Sequence, residues 1–478
     1  MVFSSAVFLF YFLPLTLLCV GGVRLLARGE RFVRLRNLIL LCASCVFYAW
    51  GEASLTLLLL LFAWINYRLA LGLSASKHPR RWLLAGVGFD LALLIGVKYG
   101  PWLYGWAAQA CVWIGLSRGA HPALEFALPL GISFYTFQSL SYLVDVYRGD
   151  AAPARRFSDF ACYLLMFSQL VAGPIIRYAD MSAELLSDRG SAERMACGVK
   201  RFVVGLAKKT LIANQVAFVA DAVFRFEALE LSAPLAWCGL LCYAVQIYFD
   251  FSAYSDMAIG IGDMFGFTFM ENFRHPYGAL SMRDFWRRWH ISLSTWFRDY
   301  LYIPLGGSRC SAARTRLNLL AVFLLCGLWH GANLTFVLWG AWHGLFLLME
   351  RDFLNTLLQK LPRWLRRSYV WGVFLAGWVF FRCDSLAHAG MFFRALAGVG
   401  DGSLAMPLSG VLDVKSALLL TFALIGSTGV FAEGWGRLRQ RVDVHFEAFE
   451  FAAGAVMLFF SAVMILGNSY DPFIYFRF

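Results

Sequence analysis

Three of the chain's eight histidines fall within residues 283–344. His290 lies in RDFWRRWHISLSTWFRDYLYIPLGG, and His330 and His343 lie in GLWHGANLTFVLWGAWHG. A buried neutral imidazole can take a proton from a hydroxyl or thiol as that group attacks a carbonyl carbon. Titratable groups are costly in an apolar chain unless they are paired or useful, so this stretch predicts a chemical site.

Two interpretations fit His330, which stands between Gly327 and Gly331. One is an imidazole hydrogen-bonded between two helices, and the other is a general acid or base whose neighbouring glycines let a substrate chain approach closely. His290 is so distant in sequence that only folding can bring it near His330. Because a helix turns by about 100° per residue, His330 and His343 would lie on different faces of one continuous helix.

Sequence motifs for other chemistries do not occur. The chain has no H-E-x-x-H motif, so metal catalysis is not expected. It also has no G-x-S-x-G elbow, no P-loop and no dinucleotide fingerprint. A serine hydrolase domain on this chain is therefore not predicted.

Arginines cluster just before the first of these histidines, in RDFWRRWH. Spacing alone allows two roles for them. They could set the membrane orientation and contact anionic lipid, or they could recognise a phosphorylated acyl donor, since the guanidinium fork matches phosphate geometry. The candidate donor- or substrate-binding residues are two of these arginines and two neighbours of the second histidine: Arg287, Arg288, Trp329 and Asn333.

The composition predicts an integral membrane protein. Of 478 residues, 60% are hydrophobic and 15% are charged, against about a quarter charged in soluble domains. Several apolar runs reach roughly 18 residues, which is long enough to cross the hydrocarbon layer as helices. The alternating segments of roughly ten residues that a β-barrel requires are missing.

The charge and the cysteines fit the same class. The net charge of +12 comes from basic residues in short loops between apolar runs, which is how membrane orientation is encoded, so we exclude nucleic acid as a partner. The 11 cysteines are an odd number, and most of them lie within apolar runs. They are interpreted as small buried residues, and neither a disulfide framework nor a zinc site is predicted.

Interruptions of the apolar runs predict where the spans turn. Two spans should be joined by a tight turn at Gly51-Glu52. Gly173-Pro174 should break the chain at membrane depth, which is tolerated where the backbone is buried in protein or lines a cavity. The result is an all-α polytopic membrane protein with about 11–13 transmembrane or re-entrant helices. No linker or repeat divides it, so residues 1–478 are predicted to form one domain with a catalytic core of roughly 128–350.

Polar groups inside two of the spans need partners. Residues 128–149 carry many hydroxyl and amide side chains, and these could form interhelical hydrogen bonds or the wall of a wet cavity. Asp250 and Asp256 stand in a strongly apolar context, so we expect them to have partners or to face water.

Longer motifs give the chain a family resemblance. They are FYAWGE, LPLGISFYTFQSLSYLVDVYRG, LVAGPIIRY, YFDFSAYSDMAIG, NFRHPY, WVFFRCDSL and the terminal DPFIYFRF, together with the two histidine segments. In these motifs the chain strongly resembles the membrane-bound O-acyltransferase family, and most closely its bacterial polysaccharide branch. The resemblance covers nearly the whole chain. The one departure noticed is Cys383, where similar proteins often have Ala.

The resemblance implies a fold and roles for the histidines. The family fold is a ring of tilted helices around a central funnel, with the activated acyl group entering from the cytoplasm and the acceptor from the other side. His330 matches the expected catalytic residue, and His290 matches its partner near the reaction centre, which would orient the donor or help stabilise charge. Members outside the branch often carry Asn or Asp at the second position. His343 matches a histidine shared within the branch, and no role is assigned to it.

The resemblance also implies an activity. The expected protein is a multi-pass O-acetyltransferase of the bacterial inner membrane. It would pass acetyl groups from a cytoplasmic donor, acetyl-CoA, to an exopolysaccharide such as alginate or acetylated cellulose. No bound cofactor or metal is expected. The expected partners are a periplasmic Ser-Asp-His esterase-like (SGNH-type) protein, the polysaccharide synthesis and export complex, and membrane lipid.

Three alternatives stay open at this point. The acyl acceptor could be peptidoglycan, or the reaction could be D-alanyl transfer to teichoic acid, since relatives of that kind share the two histidine motifs. A non-catalytic transporter or scaffold is the third alternative, and its activity would survive replacement of His330 by alanine.

Overall fold

The structure is a computed structural model of the 478-residue chain. It describes residues 1–115, 129–171, 173–400, 402–442 and 446–467. Within these ranges every regular element is a helix, which confirms the predicted all-α class. The C-terminal motif at residues 471–478 and Leu128 lie outside the described residues.

The described chain divides into two compact units. One comprises Met1, Val7–Ala196 and Gly262–Phe269, and the other comprises Val2–Ala6, Cys197–Ile261 and Met270–Phe478. The predictions of a single domain over residues 1–478, of a catalytic core at roughly 128–350 and of a helical ring around a funnel stay predictions.

The first eight α-helices belong to the first unit. They are α1 (Leu13–Leu26), α2 (Gly29–Ala75), α3 (Pro79–Leu94), α4 (Gly100–Trp113), α5 (Ile132–Arg148), α6 (Phe157–Leu165), α7 (Phe167–Leu170) and α8 (Tyr178–Leu185). Helix α2 packs against α1, α3, α5 and α6. Helix α5 is buried along almost its whole length.

Polar groups of α5 bond to other segments of this unit. The Asp145 carboxylate accepts the backbone N–H of Ala179 at 3.2 Å, and the Tyr142 hydroxyl accepts that of Ala154 at 3.0 Å. These bonds favour the first of the two interpretations, in which polar side chains join neighbouring segments. The predicted break at Gly173-Pro174 is also present, since α7 ends before it and α8 begins after it.

The remaining helices lie wholly or largely in the second unit. They are α9 (Ala192–Ala207), α10 (Asn214–Val223), α11 (Ala233–Met264), α12 (Met282–Arg288), α13 (Ile291–Phe297), α14 (Ala312–His330), α15 (Leu334–Met349), α16 (Asn355–Gln359), α17 (Arg363–Arg382), α18 (Leu386–Leu396), α19 (Val414–Ser427), α20 (Val430–Val442) and α21 (Phe446–Gly467). Short π-helical and 3-10 turns join several of them. Within the described residues of this unit, the most extensive contact between two helices joins α14 to α15.

Both intramembrane aspartates have cationic partners. Asp250 on α11 lies 2.8 Å from the Lys209 ammonium, and both side chains are almost fully buried. Asp256 pairs with Lys208 at 2.6 Å and with Arg201 at 2.9 Å. The expectation that these carboxylates have partners is therefore confirmed, and the pairs offset the cost of burying the charges.

In the described residues, seven helices are long and apolar enough to cross a membrane, or eight if the bent pair α19–α20 is counted as one span. The predicted 11–13 also included re-entrant pieces. Several apolar helices, such as α5 with 17 residues and α15 with 16, are too short for that count. Helix α2, with 47 residues, is counted once although its backbone leaves helical geometry at Glu52, where the turn is predicted. At 1.5 Å per residue it is about 70 Å long, more than twice the hydrocarbon thickness.

Candidate active site

Helix α12 is held at its start by a buried carboxylate. Glu350 accepts hydrogen bonds from the backbone N–H of Met282 and, at 3.0 Å, from that of Arg283, and the Tyr369 hydroxyl donates to it at 3.1 Å. Ser281 caps the same helix by accepting the N–H of Asp284 at 3.1 Å. A negative group at a helix N-terminus satisfies free N–H groups and complements the helix dipole. These bonds fix the helix that leads to His290.

His290 occupies a sharp break between α12 and α13. Its backbone is left-handed, with φ 43° and ψ 55°, a conformation that His, Asn and Asp adopt more readily than most other side chains. That preference gives a physical reason for the Asn or Asp expected at this position outside the branch. Backbone bonds from Ile291 N–H to the Asn272 carbonyl (3.0 Å) and from Arg274 N–H to the Arg288 carbonyl (2.9 Å) hold the break in place.

The imidazole of His290 is buried and neutral. Its side chain is almost fully enclosed, and its ring and that of Phe251 meet edge to face with centroids 4.7 Å apart. Burial lowers the pKa of His290 to about 3. The ring is therefore uncharged at neutral pH, and it lies outside the candidate membrane spans.

His330 is the last residue of α14 and is also buried. Its ring meets those of Trp329, Trp339 and Phe381 edge to face, with centroids 4.9, 5.0 and 5.1 Å away. The chain then leaves the helix in an extended conformation at Gly331. Aromatic rings thus enclose the imidazole on several sides and exclude bulk water from it.

Two glycines let α14 and α15 approach closely near His330. A Cβ atom on Gly327 would overlap the carbonyl oxygen of Phe336, and one on Gly340 would overlap that of Phe323. Small residues at a helix crossing permit this kind of contact in membranes. Of the two glycines that flank His330 in the sequence, Gly327 therefore serves helix packing, a role that the sequence interpretation did not assign to it.

Tryptophan rings join the three predicted histidines into one cluster. The centroid of Trp329 lies 6.2 Å from that of His290 and 4.9 Å from that of His330. Trp339 lies 5.0 Å from His330 and 5.1 Å from His343. The structure thus places His330 and His343 on separate helices, α14 and α15, rather than on two faces of one helix.

His343 is enclosed completely. Its side chain has no exposed surface, and within the described residues neither ring nitrogen has a hydrogen-bond partner. The Trp286 ring meets it edge to face at 5.3 Å. His343 thus packs against the two tryptophans Trp286 and Trp339.

A cavity of about 240 Å³ opens beside this cluster. Trp286 forms part of its wall and also contacts His343, and Cys326, one turn before His330 on α14, lines it as well. The other lining residues include three arginines and a set of apolar side chains: Arg283, Arg287, Arg298, Leu293, Phe297, Leu319, Val322, Phe323 and Leu347. Such a cavity combines cationic groups with an apolar interior.

The four predicted binding residues fall in different surroundings. Arg287 lines the cavity, whereas Arg288 pairs with Asp284 at 2.8 Å on its own helix. Trp329 contacts both catalytic candidates, as described above. Asn333 caps α15 by accepting the N–H of Thr335 at 3.1 Å and donates to the Asp384 carbonyl at 2.7 Å. The contacts of Arg288 and Asn333 are structural, and those of Arg287 and Trp329 suit a binding role.

Sequence reasoning missed two residues of this site. Glu350 is not among the predicted site residues, although a single carboxylate at the end of an apolar helix could have drawn attention. Asn272 belongs to the NFRHPY motif, but nothing in the sequence connects it to His290. No group of three His, Cys, Asp or Glu side chains in the described ranges is placed to hold a metal ion.

A helical membrane protein with buried histidines beside an arginine-lined cavity has the features of a membrane-embedded transferase. Comparison with known proteins makes this specific. The family model described as "MBOAT, membrane-bound O-acyltransferase family" matches residues 154–387. The chain belongs to the membrane-bound O-acyltransferase family, and it is an acyltransferase.

Three relatives are similar over most of their length. The protein named "Probable alginate O-acetylase AlgI" of Pseudomonas putida is 40% identical over the full length of both chains. Its namesake in Pseudomonas aeruginosa is 43% identical over 84% of this chain and 76% of its own. The "Peptidoglycan O-acetyltransferase" of Helicobacter pylori is 34% identical over 84% of this chain and 81% of its own.

Proposed function

We propose that this protein is an inner-membrane O-acetyltransferase that passes acetyl groups from a cytoplasmic donor across the membrane for O-acetylation of an exopolysaccharide, with alginate as the favoured polymer. The observation that carries the chemistry is the buried His330, enclosed by Trp329, Trp339 and Phe381. The choice of alginate is supported by the full-length similarity to the Pseudomonas putida relative.

The proposed reaction is acyl substitution at a thioester. His330 takes the proton of an acceptor hydroxyl as its oxygen bonds to the acetyl carbonyl carbon. The bond from that carbon to the thioester sulfur then breaks, and the leaving thiolate receives the proton. Atoms balance as acetyl thioester plus alcohol giving acetyl ester plus thiol. In a water-excluded site, polar groups directed at the developing oxyanion are worth more than they would be in water.

Acetyl-CoA is the proposed donor, and the arginine-lined cavity is its proposed site. Arg283 and Arg287 both line the cavity, and in the described ranges no carboxylate forms an ion pair with either guanidinium. Arginine binds phosphate through paired, charge-assisted hydrogen bonds. The apolar wall formed by Val322, Phe323 and Cys326 suits the uncharged arm that carries the thioester.

The acceptor side is proposed to involve other proteins. The relatives named for alginate O-acetylation support a place in an alginate-acetylating system. We propose that acetyl groups pass to a periplasmic SGNH-type partner, which modifies the polymer beside the synthesis and export complex. The surrounding lipid is that of the bacterial inner membrane.

Peptidoglycan O-acetylation is a second candidate, because the Helicobacter pylori relative carries that name at 34% identity. One experiment separates the two. The chain would be expressed in an alginate-producing bacterium whose own alginate O-acetylase gene is deleted, and acetyl esters would be measured on purified alginate and on muropeptides.

Restored acetyl esters on alginate would support the first proposal. Acetyl esters confined to muropeptides would replace it with the second. If neither polymer gained acetyl groups while the protein was inserted at normal levels, both proposals would be wrong.

A further inference from the structure

The amide of Asn272 lies against His290 in the loop that follows α11. Asn272 has no exposed surface. Its Oδ1 atom lies 3.1 Å from the backbone nitrogen of Ser292, 2.9 Å from the Ser292 hydroxyl and 3.3 Å from Nδ1 of His290. Its Nδ2 donates to the Ser255 hydroxyl at 3.0 Å. Every polar atom of this amide therefore has a partner.

The backbone of Ser292 decides which way the amide points. A backbone N–H can only donate, so the Asn272 atom that faces it must be the carbonyl oxygen. The same oxygen faces Nδ1 of His290. Because an oxygen of this kind can only accept, Nδ1 of His290 must carry the hydrogen.

A neutral imidazole has one N–H, so its other nitrogen is an acceptor. In His290 that atom is Nε2, which is buried and has no hydrogen-bond partner in the described part of the chain. The rings packed around it, those of Phe251, Phe273 and Trp329, have no titratable group. A buried acceptor without a donor is costly. One of the rings around it, Trp329, also contacts His330, so a group that reaches Nε2 would lie near the proposed catalytic residue.

We propose that Asn272 is a positioning residue that holds His290 as the Nδ1–H tautomer, so that Nε2 accepts a hydrogen bond from a hydroxyl or amide N–H of a reactant bound beside His330. This inference rests on the proposed function and adds a role for each of the two residues. Of the two roles expected for His290, it favours orienting a reactant over stabilising charge, because Nε2 of this neutral tautomer has no hydrogen to donate to an oxyanion.

The tautomer can be measured without any activity. Protein labelled with ¹⁵N-histidine in lipid nanodiscs would be studied by solid-state NMR, with His290→Gln used to assign the signals of His290. We expect a protonated Nδ1 and an unprotonated Nε2. In Asn272→Leu we expect a mixture of tautomers. A protonated Nε2 in the wild type would overturn the proposal.

Kinetics test whether the tautomer matters. The probe is acetyl-CoA, supplied together with the host's periplasmic proteins and alginate as acetyl acceptors. Release of free thiol is the readout in wild type, Asn272→Leu, Asn272→Asp and the control Ser255→Ala. We expect Asn272→Leu to lower turnover by at least about tenfold, as expected for loss of a hydrogen bond that matters in the transition state. Ser255→Ala removes only the partner of Nδ2, so its turnover should stay within about threefold of wild type. A raised KM for acetyl-CoA would indicate that the hydrogen bonded to Nε2 belongs to acetyl-CoA. A lowered kcat would indicate that it belongs to the molecule that receives the acetyl group.

The pH–rate profile of Asn272→Asp separates a positioning role of Asn272 from a purely structural one. The carboxylate can still accept from Nδ1, but it stabilises the imidazolium, so the acid limb of the pH–rate profile should move to higher pH. Wild-type turnover in folded Asn272→Leu, or equal losses in all three variants without a shift of the profile, would overturn the positioning role. If the wild type released no thiol, the proposed donor would be wrong, and the NMR experiment would still decide the tautomer.

Discussion

The carboxylate of Glu350 accepts the backbone N–H of Arg283 at 3.0 Å, at the first turn of the helix that carries Arg287 and leads to His290. This one buried side chain joins the end of α15 to the start of α12. The orientation of Arg287 and His290 therefore depends on Glu350, whose hydrogen bonds in the described part of the chain go to other groups.

Replacing Glu350 by Gln should destabilise the protein. The amide keeps one acceptor oxygen for two backbone N–H groups and loses the negative charge at the helix N-terminus, so we expect a loss of about 1–3 kcal/mol. Asp352→Asn is the matched control, since Asp352 forms a partly exposed pair with Arg316, which is worth at most about 1 kcal/mol. The measurement is the unfolding midpoint in detergent, and equal shifts for the two variants would contradict this role of Glu350.

Arg287→Gln and Arg288→Gln should differ although the residues are adjacent. Arg287 lines the cavity, and Arg288 is paired with Asp284. Loss of a charge-assisted hydrogen bond to phosphate should raise the KM for acetyl-CoA about tenfold in Arg287→Gln. In Arg288→Gln the change should stay below about threefold. A larger effect at Arg288 would move the donor site away from the cavity.

Gly327→Ala should disturb the packing of α14 against α15 near His330. Its Cβ would overlap the Phe336 carbonyl oxygen, and overpacking of this kind costs about 1–3 kcal/mol. We expect a lower unfolding midpoint together with reduced acetyl transfer. Gly372→Ala on α17 is the control, because its Cβ would meet nothing within 4 Å. An unchanged Gly327→Ala protein would show that α14 and α15 do not need their close approach.

The pH dependence of stability should report the burial of His290. Burial lowers its pKa from 6.5 to about 3, so between these values the unfolded chain binds a proton that the folded chain does not. The stabilisation linked to this difference in pKa is complete above pH 6.5. It decreases by about 1.4 kcal/mol per pH unit as the pH falls toward 3. His290→Asn, which tolerates the same backbone, should lose less stability between pH 7 and pH 5.

The measurement is the unfolding midpoint of both proteins at pH 7, 6 and 5. Parallel losses in the wild type and in His290→Asn would show that His290 is not held neutral by burial.

The sequence predicted those parts of the fold that depend on local pattern. Long apolar runs are sufficient to predict membrane helices, and the Gly51-Glu52 turn is where α2 leaves helical geometry. The number of spans was harder to predict, because the structure continues helices through breaks that the sequence suggests are ends. It also contains buried helices that are shorter than a bilayer is thick.

Within the site, residue type was sufficient to predict that the histidines are functional candidates. Which side chains surround them depends on how the helices pack. Nothing in the spacing shows that Trp329 and Trp339 join His290, His330 and His343, since that requires α14, α15 and the α12–α13 break to meet. The different surroundings of Arg287 and Arg288 follow from one helical step, which turns Arg288 toward Asp284 one turn earlier. The bond of Asn272 to His290 crosses a loop and has no signature in the sequence.

The central proposal is that His330 carries out acetyl transfer, and one comparison tests it most directly. Membranes containing wild type, His330→Ala or the control His78→Ala, which alters an exposed histidine, would receive labelled acetyl-CoA with the host's periplasmic proteins present. Label on polysaccharide would then be counted at matched protein levels. We predict that His330→Ala loses at least about 99% of the label, as expected for removal of a general base worth 10²–10⁴ in rate, while His78→Ala matches the wild type. Equal labelling by wild type and His330→Ala would contradict catalysis by His330 and favour a transporter or scaffold.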